Sequence, residues 1–190
     1  DPALEDWDGA LTSVFRQWAE QLQVEGVRTI AGRVIGDDNA FEDEGLGPGW
    51  AWDDLDRSFA TAVGALQFNQ NSVQVTVAPG KAPGEPAAIT MRPSTSGDWG
   101  LATRSFVVTG TPTEATPVST QRLAGTRVLE IRGTVPIGGS TVARLASVPN
   151  PTRYYVHALR AALVAAGIAV YDDAVDIDDL DTQPPLTARR

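Results

Sequence analysis

The side chains of this sequence that are best suited to chemistry are carboxylates. Asp37 and Asp38 directly follow a predicted strand, and six further acids lie between positions 42 and 56. A glycosidase needs two carboxylates at a fixed gap across a sugar cleft, and the residues around Asp37 lack the ligand pattern of a calcium loop. Most of these acids are therefore predicted to form a solvated, irregular surface. Trp50 and Trp52 lie in the same stretch. Packing at the edge of a hydrophobic core fits them better than a platform for carbohydrate stacking.

The residues for nucleophilic or metal-dependent catalysis are missing. The sequence has no cysteine, one histidine (His157) and one lysine (Lys81). Ser-x-x-Lys, Ser-x-Asn, Lys-Thr-Gly and Gly-x-Ser-x-Gly do not occur, so the usual serine acyl-enzyme sites cannot be assembled from this chain. His157 is predicted to face solvent on a helix, because it lies off the apolar stripe that includes Tyr155. We therefore predict no catalytic residue, no metal ligand and no cofactor within the chain.

The charge and hydropathy of the chain limit its partners. The formal net charge is -9, and the basic residues form no stripe, which argues against binding to nucleic acid or to an anionic membrane surface. A small cationic group on a substrate remains compatible with this charge. No apolar run approaches the roughly 20 residues of a membrane-spanning helix. The sequence starts at Asp1 without a signal peptide and is predicted to be a mature protein or an excised part of one.

Two predicted helices lie near the ends of the chain. The first has an apolar stripe and a glycine, Gly26, at the position of a left-handed cap, and a strand is predicted at 27–36. The second begins at Asn150-Pro151, ends at Gly167 and leads into a strand at 168–177. The residues of the two stripes are Trp7, Leu11, Val14, Phe15, Trp18 and Leu22 in the first helix, and Tyr155, Leu159, Ala162, Leu163 and Ala166 in the second.

The residues between the helices have the alternation of short strands. A hairpin is predicted across residues 69–71, followed by five further strands. The predicted strands are 64–68, 72–77, 87–92, 99–109, 118–123, 126–134 and 140–147. This order predicts an α+β fold, in which a helix-flanked antiparallel sheet domain is interrupted by a nested, small all-β domain resembling a sandwich. The predicted divisions are 1–78 with 148–178 for the outer domain, 79–147 for the nested domain and 179–190 for a linker. No internal repeat is apparent.

Three blocks carry a family resemblance: residues 32–41 (GRVIGDDNAF), 47–54 (GPGWAWDD) and 65–71 (ALQFNQN). In order and spacing they resemble the class C, type-4 penicillin-binding proteins, which are serine D-Ala-D-Ala carboxypeptidases/endopeptidases. Residues 1–4 and 151–168 are similar to further segments of that family, so the resemblance covers nearly the whole chain.

The resemblance implies a role as the non-catalytic insert of a larger enzyme. A transpeptidase-like domain of the same polypeptide would carry Ser-x-x-Lys before this region, and Ser-x-Asn and Lys-Thr-Gly after it. The substrate would be a peptidoglycan stem peptide, and the location periplasmic or otherwise exported. In the family, an acid four residues before a phenylalanine contacts the free amino group of the stem peptide at the active-site entrance. Asp37 and Phe41 match this pair, although Asp37 fits equally well as a strand-end acid that bonds turn amides.

Two other functions fit the same residues. The chain could be a stand-alone binding module for a cell-wall peptide or a protein partner, derived from the same insert. Alternatively, the β-rich middle could be a structural spacer against the wall or a partner.

Overall fold

The computed structural model describes residues 12–41, 45–46, 48–93, 101–123 and 125–180. Its helices are α1 (Ser13–Val24) and α2 (Pro151–Ala165). Its strands are β1 (Thr29–Ile30), β2 (Val34–Gly36), β3 (Ser72–Ala78), β4 (Ala88–Arg92), β5 (Ala102–Gly110), β6 (Thr116–Arg122), β7 (Val128–Pro136), β8 (Val142–Ser147), β9 (Ala169–Val170) and β10 (Ala174–Asp176). Short 3₁₀ turns lie at Trp52–Asp54, Ser58–Ala60, Asn69–Asn71 and Ile177–Asp179. The α+β class predicted from the sequence is confirmed.

Several sequence predictions fall outside the described residues. These are Trp7 and Leu11 of the first stripe, the acids at 42–44, the start of the strand predicted at 99–109, and most of the linker predicted at 179–190.

The two helices begin two copies of the same unit. Each helix ends at a glycine in the left-handed region, with φ of +85° at Gly26 and +91° at Gly167. In each cap, the amide after the glycine donates to a carbonyl near the helix end, from Val27 to Leu22 at 2.8 Å and from Ile168 to Leu163 at 3.0 Å. Two short strands then follow in both cases. The structure thus contains a repeat that the sequence analysis did not find.

The repeat explains how the outer strands pair. β1 pairs with β9 and β2 pairs with β10, and both pairs are parallel. The outer sheet was predicted to be antiparallel, and this part of the prediction is wrong. The continuous strands predicted at 27–36 and 168–177 are each broken in the middle, since the first half pairs in one ladder and the second half in another.

The β-rich middle consists of two three-stranded sheets. One has the antiparallel order β4-β3-β8, and the other has the order β5-β7-β6, in which β5 and β7 are parallel. The hairpin predicted across residues 69–71 does not form. Asn69, Gln70 and Asn71 all have φ near +50°, and the side chain of Asn71 accepts from the Phe68 amide and donates to the Ala62 carbonyl. This turn leads directly into β3, which pairs with β4 and β8 as the central strand of the first sheet.

One core joins the sandwich to the helices. Its fully buried side chains come from both sheets: Val73, Val75 and Val77 of β3, and Leu129, Ile131 and Val135 of β7. Phe15 of α1 extends it by packing on Phe68, with ring centroids 5.4 Å apart, and Phe68 in turn packs on Tyr154 of α2 at 5.1 Å. The division into an outer and a nested domain stays a prediction. The pairing of β3 places residues 72–78 with the nested strands.

Helix α2 is buried on more than one side. Tyr154 and Val156 are almost fully buried, and His157 is only 7% exposed. The prediction that His157 faces solvent is wrong, because α2 lies between the sandwich core and the parallel strands and so has no single buried stripe. Gly36 of β2 shows how close this packing is: a Cβ there would lie 2.6 Å from the Thr152 methyl and 2.8 Å from a Val156 methyl. Among the described residues, neither helix has the length and apolar character needed to cross a membrane.

Candidate functional site

The ends of two parallel strands bring distant carboxylates together. β2 and β10 are in register with Gly36 opposite Asp176. Both strand ends lie at the first turn of α2, since Gly36 packs against Thr152 and Asp176 accepts from Asn150. Carboxyl ends of parallel neighbours lie at the same edge of a sheet, so the acids that follow them become adjacent. One carboxylate oxygen from each of Asp38, Asp176 and Asp178 lies within 4.8 Å of the others.

The first turn of α2 supplies hydrogen-bond donors to two of these acids. The Thr152 hydroxyl donates to Asp38 Oδ2, and Asn150 Nδ2 donates to Asp176 Oδ2 at 2.7 Å. Asn150 also caps the helix, since its Oδ1 accepts from the Arg153 amide at 2.7 Å. The Asp178 amide donates to the second oxygen of Asp176 at 3.3 Å. The cluster is therefore fixed in place by the start of the helix.

The pKa of Asp176 reflects its burial and the polar groups around it. Asp176 is only 4% exposed, and burial raises its pKa above the usual value. Hydrogen bonds from Asn150 and Asp178 act in the opposite direction, whereas the negative charges of Asp38 and Asp179 add to the increase. Within the described residues, this is the one group of three or more acidic or metal-ligating side chains that lie close enough together to hold a cation.

The cluster forms one wall of a cleft of about 420 Å³. Phe41 and Val63 lie at its apolar side, and Arg122 contributes a guanidinium. The Nη2 of Arg122 donates to the carbonyl and hydroxyl of Ser147. Burial lowers the pKa of Arg122, and the negative charge of Asp56 opposes this shift. The cleft thus has acidic, apolar and basic surfaces, which suits a ligand with a positive group and a polar or negative one.

The structure places the two predicted binding residues differently. Phe41 lines the cleft and is 54% exposed. Asp37 is half-buried beside the cleft without lining it, and its Oδ1 accepts from the Asn39 amide at 3.2 Å. That hydrogen bond is the turn contact expected of a strand-end acid. It is Asp38, the next residue, that joins the cluster.

The site predicted from the sequence did not include Asp176, Asp178, Asn150 or Thr152. The available signal was the repeat: Gly26 and Gly167 each precede two short apolar stretches, and each second stretch ends in acids. Two units of this kind, paired in parallel, place their terminal acids side by side.

Two expectations for the loop at residues 50–60 are also corrected. Trp50 and Trp52 were predicted to plug the edge of a core, but they are 43% and 63% exposed. Asp56 was grouped with the solvated acids, but it is 1% exposed and accepts from the Thr120 hydroxyl at 2.7 Å.

Comparisons with known proteins identify relatives of this chain. It is 29% identical over 161 residues to a D-alanyl-D-alanine carboxypeptidase of Actinomadura sp. (strain R39). The aligned region covers 82% of this chain and 29% of that protein. Its fold matches penicillin binding protein 4 (dacB) from Haemophilus influenzae with a TM-score of 0.69 and 19% identity, over 94% of this chain and 38% of the other. The same protein in complex with a novel β-lactam matches with a TM-score of 0.59 and 14% identity. The chain therefore spans about a third of the length of these relatives.

A family model agrees with the resemblance found in the sequence. The model for the D-Ala-D-Ala carboxypeptidase 3 (S13) family matches residues 1–188, a span that includes both strand ends that form the carboxylate cleft. The resemblance to penicillin-binding carboxypeptidases is thereby confirmed, and the chain belongs to the D-Ala-D-Ala carboxypeptidase 3 (S13) family.

Proposed function

We propose that this chain is the non-catalytic insert of a serine-type D-Ala-D-Ala carboxypeptidase/endopeptidase that acts on peptidoglycan stem peptides in the cell envelope. The observation that carries the proposal is the combination of a family match over residues 1–188 with the lack of Ser-x-x-Lys, Ser-x-Asn and Lys-Thr-Gly in the sequence. A serine acyl-enzyme needs a nucleophile and a base in hydrogen-bond reach of each other. Those groups must then come from the part of the polypeptide outside this chain.

The insert would form one side of the entrance to the active site. The carboxylate cleft supports this role, because its negative charge attracts the free ammonium group of a stem peptide. Phe41 would pack against the aliphatic part of the same side chain. Asp37 lies beside the cleft and would add a further half-buried negative charge. An ion pair of this exposure contributes about 1 kcal/mol.

Fluorescent penicillin tests the assignment to a larger serine enzyme. The reagent acylates the serine of such an enzyme, so we expect it to label the product of the complete gene and to leave the 190-residue chain unlabelled. Labelling of neither protein would contradict the proposal. It would favour instead a stand-alone module that binds cell-wall peptides or a protein partner.

Asp37→Asn in the complete enzyme tests the binding role. We expect kcat/KM for a substrate with a free amine to fall about fivefold, which corresponds to the loss of about 1 kcal/mol. The acetylated substrate should change little, because it has no ammonium group to attract. Asp53→Asn is the matched control, since it removes the same charge from an exposed turn. An equal loss on both substrates would assign Asp37 to the turn alone.

A further inference from the structure

Three aromatic side chains on the loop at residues 50–60 are exposed. Trp52 and Phe59 are each 63% exposed, and Trp50 is 43% exposed. Trp50 and Phe59 stack with their ring centroids 6.1 Å apart and an interplanar angle of 28°. We call Trp50, Trp52 and Phe59 the aromatic face. Exposed aromatic side chains grouped in this way mark interaction surfaces, and Trp and Phe are enriched in the cores of such surfaces.

The backbone that carries the aromatic face is anchored to the sandwich. Asp56 is buried, its carboxylate accepts from Thr120 of β6, and its carbonyl accepts from the Ser147 amide at 3.0 Å. The Ser147 hydroxyl donates to the Leu55 carbonyl at 2.5 Å. Ala60 is also fully buried. The backbone that carries the three rings is therefore anchored in the folded structure before any partner binds.

The aromatic face lies close in the chain to the wall of the cleft. Val63 and Phe41, which line the cleft, are themselves 56% and 54% exposed, and the Val63 amide donates to the Gly45 carbonyl at 2.8 Å. A body that covered the aromatic face and reached Val63 would close one side of the cleft. Ligand sites commonly form at such seams between domains.

We propose that the aromatic face is the surface against which the catalytic domain of the same polypeptide packs. This inference rests on the proposed function. This chain aligns with only 38% of the Haemophilus influenzae protein and 29% of the Actinomadura protein. The greater length of these relatives favours a further domain of the same polypeptide as the partner of the aromatic face. Most of such a polypeptide lies outside the insert, and domains of one chain typically share an interface of about 600–1,500 Å². Three desolvated aromatic anchors suit the centre of an interface of that size.

Hydroxyl-radical footprinting with mass spectrometry compares the 190-residue chain with the product of the complete gene. Trp50, Trp52 and Phe59 should react roughly fivefold more slowly in the complete product, because anchors at an interface centre are almost fully desolvated. Tyr171 is the matched control: it is 71% exposed, lies next to β9 and should react equally in both proteins. Equal rates for the three rings in both proteins would overturn the inference.

A double substitution supplies a second readout. Trp52→Ala with Phe59→Ala removes two rings that are each 63% exposed. It should lower the unfolding midpoint of the complete product much more than that of the 190-residue chain, where the change removes the stacking of Phe59 on Trp50. Tyr171→Ala should change neither protein. Equal shifts in both proteins would mean that the rings stabilise the loop itself, which contradicts the proposal.

The failure of this inference is distinguishable from failure of the proposed function. If penicillin labels the complete product but the three rings stay reactive there, the catalytic domain exists and packs elsewhere. If the rings become protected only on addition of soluble glycan strands, the aromatic face is a carbohydrate platform and the inference is wrong. If penicillin does not label the complete product, the proposed function fails, and the inference fails with it.

Discussion

Gly36→Ala should disrupt the contact between β2 and α2 on which the carboxylate cleft is built. An added Cβ would lie 2.6 Å from Thr152 Cγ2 and 2.8 Å from Val156 Cγ1, both closer than carbon atoms normally approach. Thr152 and Val156 are β-branched residues of a helix, so their side chains have few alternative rotamers. The helix itself would have to move, and overpacking of this kind costs about 1–3 kcal/mol.

Gly32→Ala is the control that separates the packing cost at Gly36 from the change in conformational entropy of the unfolded chain. At a backbone conformation that alanine can adopt, a Gly→Ala change restricts the unfolded chain and stabilises the protein by about 0.4–1 kcal/mol. Gly32 precedes β2, and a Cβ there would meet nothing within 4 Å. Gly32→Ala should therefore be neutral or slightly stabilising. The difference between the two variants isolates the packing cost at Gly36.

Urea unfolding followed by far-ultraviolet circular dichroism measures this difference. We expect Gly36→Ala to lower the midpoint at an unchanged m-value, and Gly32→Ala to leave it equal or higher. Because Thr152 also donates to Asp38, the displaced helix should alter the cleft as well. Free energies of unfolding for the two variants that agree within about 0.5 kcal/mol would refute the reasoning, since they would show that β2 and α2 can separate without cost.

Two further substitutions test the buried polar groups. Thr120→Val removes the donor to the buried carboxylate of Asp56 and should lower the free energy of unfolding by about 1.5–3 kcal/mol. Thr116 is exposed on the same strand, so Thr116→Val should have little effect. Equal losses for the two variants in urea unfolding would contradict this prediction. Burial raises the pKa of Asp176, so the native state binds the proton of this carboxyl group more tightly than the unfolded chain does. Proton binding therefore stabilises the native state fully below pH 3.8, and this stabilisation is lost as the pH rises through the higher native pKa. Asp176→Asn, which cannot ionise, should therefore become more stable relative to the native sequence between pH 4 and pH 7 in thermal unfolding; a constant difference over that range would contradict the assignment.

The sequence predicted the features that depend on neighbouring residues. The alternation of apolar residues located β3 to β8 to within a few residues, because each strand has one face against the sandwich core. Gly26 and Gly167 marked both helix ends, since the left-handed cap favours a residue without Cβ. Asn150 marked the start of α2 through its own side chain, which caps the first turn. The three blocks that resemble the family were also legible in the sequence, and the family match confirmed them.

Only the tertiary structure decided which elements meet. Asp38 and Thr152 are 114 positions apart, and no local pattern says that β2 and β10 pair in parallel and align their acidic ends. The buried His157 was missed for the same reason, because a helix packed between a sandwich and a second sheet has no single apolar stripe. Conversely, the apolar character of Trp50 and Trp52 suggested burial, yet the anchored turn at Asp56 holds them outward. Hydrophobicity and periodicity report how each residue relates to its own element, whereas the cleft and the aromatic face depend on contacts between elements far apart in the chain.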